Sequence, residues 1–238
     1  MKERYEERYK EKNKEKRIGL MKVNLDLKKH PKNRWEAALK FMKINENDKI
    51  LDVGCGEGVI LNYLVGKSKF IYGIDISSHL IDILKKRIEK GVNLQQMNIE
   101  NKTPFKDDYF DMIILTDVIE HIADLYISIK ELKRILKKNG LIFIDTPNIA
   151  KLRNRLKLLF GMFPSTGSEK NNLWDTKNGN LYDGGHLHYF TFSSLQLVME
   201  SFGFSLVKKF GYGRFGGIHD IFPEISSGSI GMIFRKSK

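Results

Sequence analysis

The chain has 238 residues, 41% of them hydrophobic and 11% aromatic, values that indicate a globular protein with a full hydrophobic core. No apolar run is long enough to span a membrane, and residues 1–17 lack the apolar core of a signal peptide. The formal charge of +12 leaves nucleic acid possible as a partner but not favoured, because many lysines lie beside glutamates on predicted helix faces, as on an ordinary solvated surface.

The N-terminal region is predicted to be helical. Residues 1–18 alternate acidic and basic side chains at helical spacing, with Tyr5 and Tyr9 on one face. This pattern favours a charged, frayed helix, and a lid over a ligand is the alternative. Pro31 begins a second helix, in which four side chains recur at i, i+3, i+4 and i+7 and should face the core: Trp35, Ala38, Leu39 and Met42. We therefore predict a helical extension over 1–45.

From residue 46 onward, strands and helices alternate. The predicted strands are 49–53, 69–75, 93–97, 110–116, 141–145, 204–210 and 229–234. The predicted helices are 57–65, 77–90 with Ser77 as its cap, 124–138, 149–160 and one that begins at a capping box of Ser193 and Gln196 and ends at Gly203. This order predicts an α/β fold with a Rossmann-like, seven-stranded, mostly parallel sheet and helices on both faces. Residues 149–190 are predicted to be an inserted cover within the domain of 46–238.

A glycine-rich turn follows the first strand in the stretch KILDVGCGEG, residues 49–58. Three glycines in five residues indicate a tight turn that lets a ligand approach the backbone. The spacing is G-x-G-x-G rather than the G-x-G-x-x-G of dinucleotide-binding folds. Glu57 is predicted to open the next helix, where its carboxylate would repel a pyrophosphate and favour a cationic or zwitterionic ligand. Cys55 is interpreted as a small residue that fits the turn, and a single cysteine favours a reducing, cytoplasmic compartment.

Polar side chains end nearly every predicted parallel strand. Because carboxyl ends of parallel strands meet at one edge of a sheet, these side chains should line one site. They are Asp52, Asp75, Asn98, Thr116, Asp117, Thr146 and Asn148.

Over residues 45–210 this pattern resembles the class I S-adenosylmethionine-dependent methyltransferases. The resemblance implies S-adenosyl-L-methionine as cofactor, with Asp75 accepting the ribose hydroxyls and Ile76 packing on the adenine. Asn98 stands where many members have an aspartate that reaches the adenine amino group, with Ile99 beside it. The complete implied cofactor-binding set is Asp52, Gly54, Cys55, Gly56, Gly58, Asp75, Ile76, Asn98, Ile99, Thr116 and Asp117.

The stretch LTDVIEHI, residues 115–122, resembles two subgroups of this family. In ubiquinone-biosynthesis O-methyltransferases and related small-molecule enzymes, the segment lines the methyl-transfer pocket. In small-RNA 3′-terminal methyltransferases, a similar E-x-x-E-H holds a divalent metal. The matching set in this chain is Asp117, Glu120 and His121, with His186 or His188 of GGHLHYFTF as a further ligand for a Mg²⁺- or Mn²⁺-type ion. The same histidines suit a metal-free small-molecule pocket, which we favour.

Methyl transfer to a hydroxyl needs an aligned nucleophile and a base for its proton, and imidazole titrates near neutral pH. His121 is the first candidate base, and His186 or His188 the second; His121 as a purely structural residue is the alternative. We predict O-methylation of a small-molecule or glycan-linked acceptor. A metal-assisted RNA methyltransferase and a non-catalytic binding module are the competing hypotheses, and the glycine spacing disfavours a nicotinamide dehydrogenase. Nothing in the sequence specifies the oligomeric state.

Overall fold

A computed structural model of the chain describes residues 30–88, 91–166, 185–212 and 221–237. The predicted helix over 1–18, with Tyr5 and Tyr9, lies outside these residues, and so does the middle of the predicted cover. The division into an N-terminal extension, a domain and an inserted cover therefore stays a prediction.

Seven strands form one sheet in the order β3-β2-β1-β4-β5-β7-β6. Strands β1 to β5 are parallel, and β7 runs antiparallel between β5 and β6. This confirms the predicted Rossmann-like, mostly parallel sheet. The strands are β1 Lys49–Val53, β2 Phe70–Asp75, β3 Val92–Gln96, β4 Phe110–Thr116, β5 Leu136–Pro147, β6 Phe204–Phe210 and β7 Ser229–Lys236.

Helices cover both faces of the sheet, as predicted. Within the described residues they are α1 Arg34–Phe41, α2 Val59–Leu64, α3 Ser78–Arg87, α4 Leu125–Ile135, α5 Leu152–Leu159, α6 Phe192–Ser201 and α7 Pro223–Ser226, with a 3-10 turn at Ile119–His121. Successive residues of β4 point to opposite faces: Ile113 packs with α4 and α6, and Ile114 packs with α1, α2 and α3. The sheet thus separates two hydrophobic cores. A ligand is expected at the edge where the carboxyl ends of the parallel strands meet.

The boundary between α4 and β5 differs from the prediction. The helix was expected over 124–138, but it ends at Ile135 and β5 begins at Leu136. Leu136 pairs with Phe110 of β4, and both side chains are fully buried. Burial against the neighbouring strand outweighs the helical propensity of the basic residues that follow.

Four predicted helix starts are also wrong. Helix α1 begins at Arg34 after its cap Asn33 rather than at Pro31, α5 begins at Leu152 rather than at 149, and the capping box of α6 is not the predicted pair of Ser193 and Gln196. Helix α2 begins at Val59 rather than Glu57, because Gly58 is in the left-handed region at φ +76° and Glu57 is exposed in the preceding turn. The carboxylate of Glu57 is therefore not in the first turn of the helix, which removes that part of the argument against a pyrophosphate. Helix α6 is capped by Thr191, whose side chain accepts from the Ser194 N–H while the Ser194 hydroxyl accepts from the Thr191 N–H.

Candidate cofactor cleft and acceptor site

The glycine turn after β1 is fastened to β2 by backbone hydrogen bonds. The Gly54 and Cys55 N–H groups both donate to the Ile74 carbonyl, at 2.8 and 3.0 Å. Gly54 has φ +67°, and a Cβ at this position would lie 2.4 Å from the Val118 side chain. Only glycine fits this conformation and this space. The turn therefore closes against the segment after β4 and forms one wall of a cleft.

Asp75 at the end of β2 is held by two backbone donors. Its Oδ2 accepts from the Gly56 N–H and its Oδ1 from the Ser77 N–H, each at 2.9 Å. Burial raises the pKa of the Asp75 carboxyl, and the hydrogen bonds from Ser77 and Gly56 oppose that rise. Each carboxylate oxygen has a second lone pair, so the fixed carboxylate can accept two further donors.

A cleft opens at this edge and gathers residues from four strand ends. Seven of the sequence-predicted site residues line it: Gly54, Asp75, Ile76, Asn98, Ile99, Asp117 and His121. The remaining wall consists of residues that were not predicted to belong to the site: Val53, Ile74, Met97, Glu100, Val118 and Ile122. The predicted residues that do not line the cleft are Asp52, Cys55, Gly56, Gly58, Thr116, Glu120, His186 and His188.

Asp52 and Cys55 form a buried layer under the glycine turn. Asp52 Oδ1 is buried without a hydrogen-bond partner in the part of the chain that the structure describes. Burial, and then the negative charge of Asp75, raise the pKa of the Asp52 carboxyl well above its usual value. The Cys55 thiol is buried too, and its pKa is raised by burial and then by Asp52.

Glu100 ties two walls of the cleft together. Asn98 Oδ1 accepts from the Glu100 N–H at 3.0 Å, and Glu100 Oε1 accepts from the Ala123 N–H at 2.5 Å. The segment after β3 is thereby joined to the segment after the 3-10 turn. Sequence reasoning missed Glu100, and the Asn-x-Glu spacing after β3 was the one local signal for it.

Carboxylates converge beyond the end of β4. Asp117, at the unusual φ of +52°, forms an ion pair with Arg34 of α1, another residue that sequence reasoning did not select. Glu120 is buried, and its Oε2 accepts from the Thr146 hydroxyl at 3.1 Å. Burial, and then repulsion by Asp117, raise the pKa of Glu120 to about 8.

A further acid, Asp145 of β5, interacts with Asp117 and Glu120. Asp145 is fully buried and accepts a hydrogen bond from the Tyr212 hydroxyl. Its pKa is raised well above the usual value, mainly by burial and next by Asp117, with Arg34 acting in the opposite direction. Asn148, in contrast, uses its side chain to hold the loop before β7, since its Nδ2 donates to the carbonyls of Glu224 and Ser227.

The histidine-bearing segment 185–190 is fixed on the 3-10 turn. The Leu187 and His188 N–H groups donate to the Glu120 carbonyl at 2.8 and 3.1 Å. His121 Nδ1 lies 3.1 Å from the Gly185 carbonyl, which can only accept, so the neutral ring carries its lone pair on Nε2. The rings of His121 and His186 are 4.8 Å apart. These contacts bring two of the three candidate bases together, and one of them, His121, lines the cleft.

A cation-type cluster is present, but its membership differs from the predicted one. Ligand atoms of Glu120, His121 and His186 lie within 4.8 Å of one another. Asp117 is paired with Arg34, and His188 Nε2 donates to the Ile122 carbonyl at 2.9 Å. Of the two histidines predicted as the further ligand, His186 rather than His188 joins the cluster.

Comparison with known proteins gives the family. The family model described as "Methyltransferase domain" matches residues 27–209, well over half of the chain. The chain belongs to the class I S-adenosylmethionine-dependent methyltransferases. This confirms the family suggested by the glycine turn and the strand ends, and with it S-adenosyl-L-methionine as the cofactor of this methyltransferase.

Curated relatives match only part of the methyltransferase. A ubiquinone biosynthesis O-methyltransferase from Pelagibacter ubique is 32% identical over 120 residues, 48% of this chain and 50% of that protein. One from Pasteurella multocida is 35% identical over 112 residues, 42% of this chain and 46% of the relative. An uncharacterized methyltransferase from Schizosaccharomyces pombe is 33% identical over 118 residues, 44% of this chain and 41% of that protein. The chain spans about half the length of these relatives.

Solved structures share the fold. The protein in a complex between the Haloferax volcanii Trm112 methyltransferase activator and a putative methyltransferase superimposes with a TM-score of 0.64 at 14% identity, covering 85% of this chain and 88% of that one. A SAM-dependent methyltransferase from Aquifex aeolicus gives 0.57 at 18% identity, covering 85% and 89%. At identities of 14% and 18%, these superpositions show a shared fold only.

Proposed function

We propose that this methyltransferase transfers the methyl group of S-adenosylmethionine to an oxygen atom of a small-molecule or glycan-linked acceptor, with His121 as general base. The observation that carries the proposal is that Asp75 and His121 line the same cleft. The names of the curated relatives support an oxygen acceptor.

The residues of the cleft suit the cofactor. Asp75 has spare lone pairs for the two ribose hydroxyls, and Ile76 and Ile99 offer apolar surface to the adenine. Asn98 can still accept from the adenine amino group with its second carbonyl lone pair, as its first is used by Glu100. Asp117 also lines the cleft, and beside its ion pair with Arg34 its carboxylate has lone pairs that can accept from the methionine ammonium.

The bound cofactor supplies a methyl group that is already electrophilic, so the protein must position the acceptor and remove its proton. His121 donates from Nδ1 to the Gly185 carbonyl, which orients the ring and directs its basic Nε2 away from that bond. His186, whose ring is 4.8 Å away, can stabilise the imidazolium that forms or accept the proton in turn. His188 is further from this role because its Nε2 is used by Ile122.

Isothermal titration with S-adenosylhomocysteine tests the cofactor site. Asp75→Asn removes the charge while keeping the shape, and we expect about 10- to 100-fold weaker binding, the usual cost of losing charged hydrogen bonds. Ser77→Ala is the matched control, because it removes the cap of α3 but keeps both Asp75 contacts. Unchanged affinity in Asp75→Asn would refute the assigned ribose contact. Radiolabelled methyl transfer to phenols, alcohols and glycosides tests the activity itself, and cofactor binding without transfer to any acceptor class would favour a non-catalytic module.

A metal-assisted RNA methyltransferase is the second candidate, favoured by the cluster of Glu120, His121 and His186. Glu120 Oε1 is buried and has no hydrogen-bond partner among the described residues, which suits a ligand for a cation. This candidate predicts that EDTA abolishes activity and that Mn²⁺ restores it, and that RNA binding weakens steeply as salt rises. Full activity in EDTA would exclude it.

A further inference from the structure

Helix α5 is turned with its apolar face to the outside. Leu152, Leu156 and Leu159 recur at i, i+4 and i+7 and therefore share one face. All three are exposed, Leu159 to 75%. Asn154 lies on the opposite side and is 1% exposed. In a helix that only packs on its own domain the polarity would be reversed.

The exposed apolar surface continues past the end of the helix. Phe160 is 72% exposed, and Met162 and Phe163 are each about half exposed. We call the whole set the apolar ridge; it consists of Leu152, Leu156, Leu159, Phe160, Met162 and Phe163. Single exposed leucines are ordinary, but a contiguous group of this kind marks a binding surface.

Positive charge surrounds the apolar ridge. Residues 151–163 contain four basic side chains and no acidic one. At 100° per residue, Arg153 and Arg155 fall on either side of the leucine face. Arg155 Nε donates to the Ala150 carbonyl at 2.6 Å. Arg153, Arg155 and Lys157 have no carboxylate partner among the residues that the structure describes.

We propose that the apolar ridge is an in-plane binding surface for an anionic phospholipid membrane. Exposed leucine and phenylalanine side chains would enter the boundary between headgroups and acyl chains, while Arg153, Arg155 and Lys157 contact lipid phosphates. Within the described residues no helix is both long and apolar enough to cross a bilayer, so the mode of binding is peripheral.

Charge complementarity favours this occupant over others. A second copy of the chain would bring its own cations against these four, which costs energy unless anions intervene. A nucleic acid would use the cations and could stack on Phe160 and Phe163, but it gains little from the exposed leucines, which offer no ring for a base to stack on. An anionic bilayer satisfies both the apolar and the basic parts of the surface.

The apolar ridge adjoins the acceptor side of the cleft. The ring of Phe163 lies 6.1 Å from that of Tyr189, and Tyr189 lies 6.5 Å from the ring of His186. A membrane beneath α5 would therefore lie next to the histidine cluster. The membrane inference itself is independent of the proposed chemistry, since it concerns a surface outside the cleft.

Vesicle flotation with the full chain tests the inference. We expect binding to vesicles of 30% phosphatidylglycerol in phosphatidylcholine, and little binding to phosphatidylcholine alone. The double variant Leu156→Glu/Leu159→Glu should abolish binding, because it places charge where acyl chains would be. Arg153→Glu/Lys157→Glu removes two basic charges and should weaken binding about 25-fold or more, since each lost charge costs about fivefold.

Matched controls use exposed residues outside the apolar ridge. Leu197→Glu changes a leucine that is 69% exposed on α6, and Lys138→Glu reverses an exposed charge on β5; both should bind vesicles like the unmodified chain. Titration with S-adenosylhomocysteine and circular dichroism report whether each variant is folded.

Three results would overturn the inference. One is failure of the folded, unmodified chain to bind anionic vesicles. Another is an oligomer by light scattering that Leu156→Glu/Leu159→Glu dissociates, without vesicle binding, which would assign the surface to a second copy. The third is RNA binding that depends on Arg153 and Lys157 but not on the leucines, again without vesicle binding.

Discussion

The two sides of the candidate site are built in different ways. On the cofactor side, the turn after β1 and the end of β2 are held by backbone hydrogen bonds, and left-handed Gly54 leaves no space for a side chain. On the acceptor side, residues 117–122 and 185–190 are irregular segments whose chemistry comes from side chains, among them a buried acid and neighbouring histidines.

This difference teaches which part of the site tolerates change. A backbone-built wall recognises one fixed ligand and is disrupted by a single added methyl group. A wall of side chains on connecting segments can exchange residues while the sheet stays intact, which is how one fold serves many acceptors. Four variants probe that contrast, in decreasing order of the effect we expect.

His121→Gln tests the acceptor side. Glutamine can still donate to the Gly185 carbonyl but cannot act as a base, so we expect kcat to fall about 10²- to 10⁴-fold, the usual contribution of general-base catalysis. Affinity for S-adenosylhomocysteine should change little. The readout is the pH–rate profile. The fall in rate at low pH, which protonation of the base causes, should disappear in the variant. His188→Gln is the control, and its kcat should fall by less than about tenfold. Unchanged kcat in His121→Gln would mean that positioning alone suffices.

Gly54→Ala tests the cofactor side. The added methyl group would meet Val118 at 2.4 Å in a left-handed conformation, at a cost of about 1–3 kcal/mol from backbone strain alone. We expect about 100-fold weaker binding of S-adenosylhomocysteine by calorimetry. Gly66→Ala is the matched control, because Gly66 has φ +79° but nothing within 4 Å of a Cβ. Equal losses in both variants would show that the close approach to Val118 is unimportant.

Asp52→Asn concerns stability beneath the cofactor side. The folded-state pKa of Asp52 is raised, so the folded chain keeps a proton that the unfolded chain releases near its ordinary value of 3.8. The free energy of unfolding should therefore fall as pH rises from about 4 through the raised pKa. Asparagine removes this titration. Urea denaturation at pH 5 and at pH 8 should show that the free energy of unfolding of the variant, relative to that of the native chain, rises by about 1–3 kcal/mol between the two pH values.

Asp111→Asn supplies the opposite case for the pH experiment. The Asp111 carboxylate accepts from the Lys49 N–H at 2.9 Å and from Lys137 Nζ at 2.7 Å, so it has the partners that Asp52 Oδ1 lacks within the described residues. We expect the free energy of unfolding of this variant to fall by up to about 1 kcal/mol at both pH 5 and pH 8. A gain for Asp52→Asn that does not grow with pH would contradict the buried-charge explanation.

Sequence reasoning succeeded where a pattern is local or periodic. Buried strands β1 and β4 were predicted with correct bounds, since continuous apolar runs between turn residues indicate a parallel sheet, and Ser77 was identified as the cap of α3. It also placed Asp75 and His121 at one edge, because parallel strands put their carboxyl ends together.

The features that sequence reasoning missed are set by tertiary contacts. Arg34 reaches Asp117 from a helix more than eighty positions earlier, and no spacing rule relates two such residues. The choice of His186 over His188 in the cluster depends on which imidazole turns toward Glu120 when the segment lies on the 3-10 turn. The start of β5 at Leu136 was set by its pairing with Phe110, against the local helical pattern.

The position of β7 in the sheet has a consequence for the order in which the molecule can form during synthesis. Strands β1 to β5 find their neighbours as they emerge, since each pairs with a strand made before it or soon after. Strand β6 pairs with β7 alone, and β7 is made last and fills the gap beside β5. A growing chain can thus complete its glycine turn and Asp75 while β6 still waits for its partner, so the half of the sheet that carries the cofactor cleft is free to fold first.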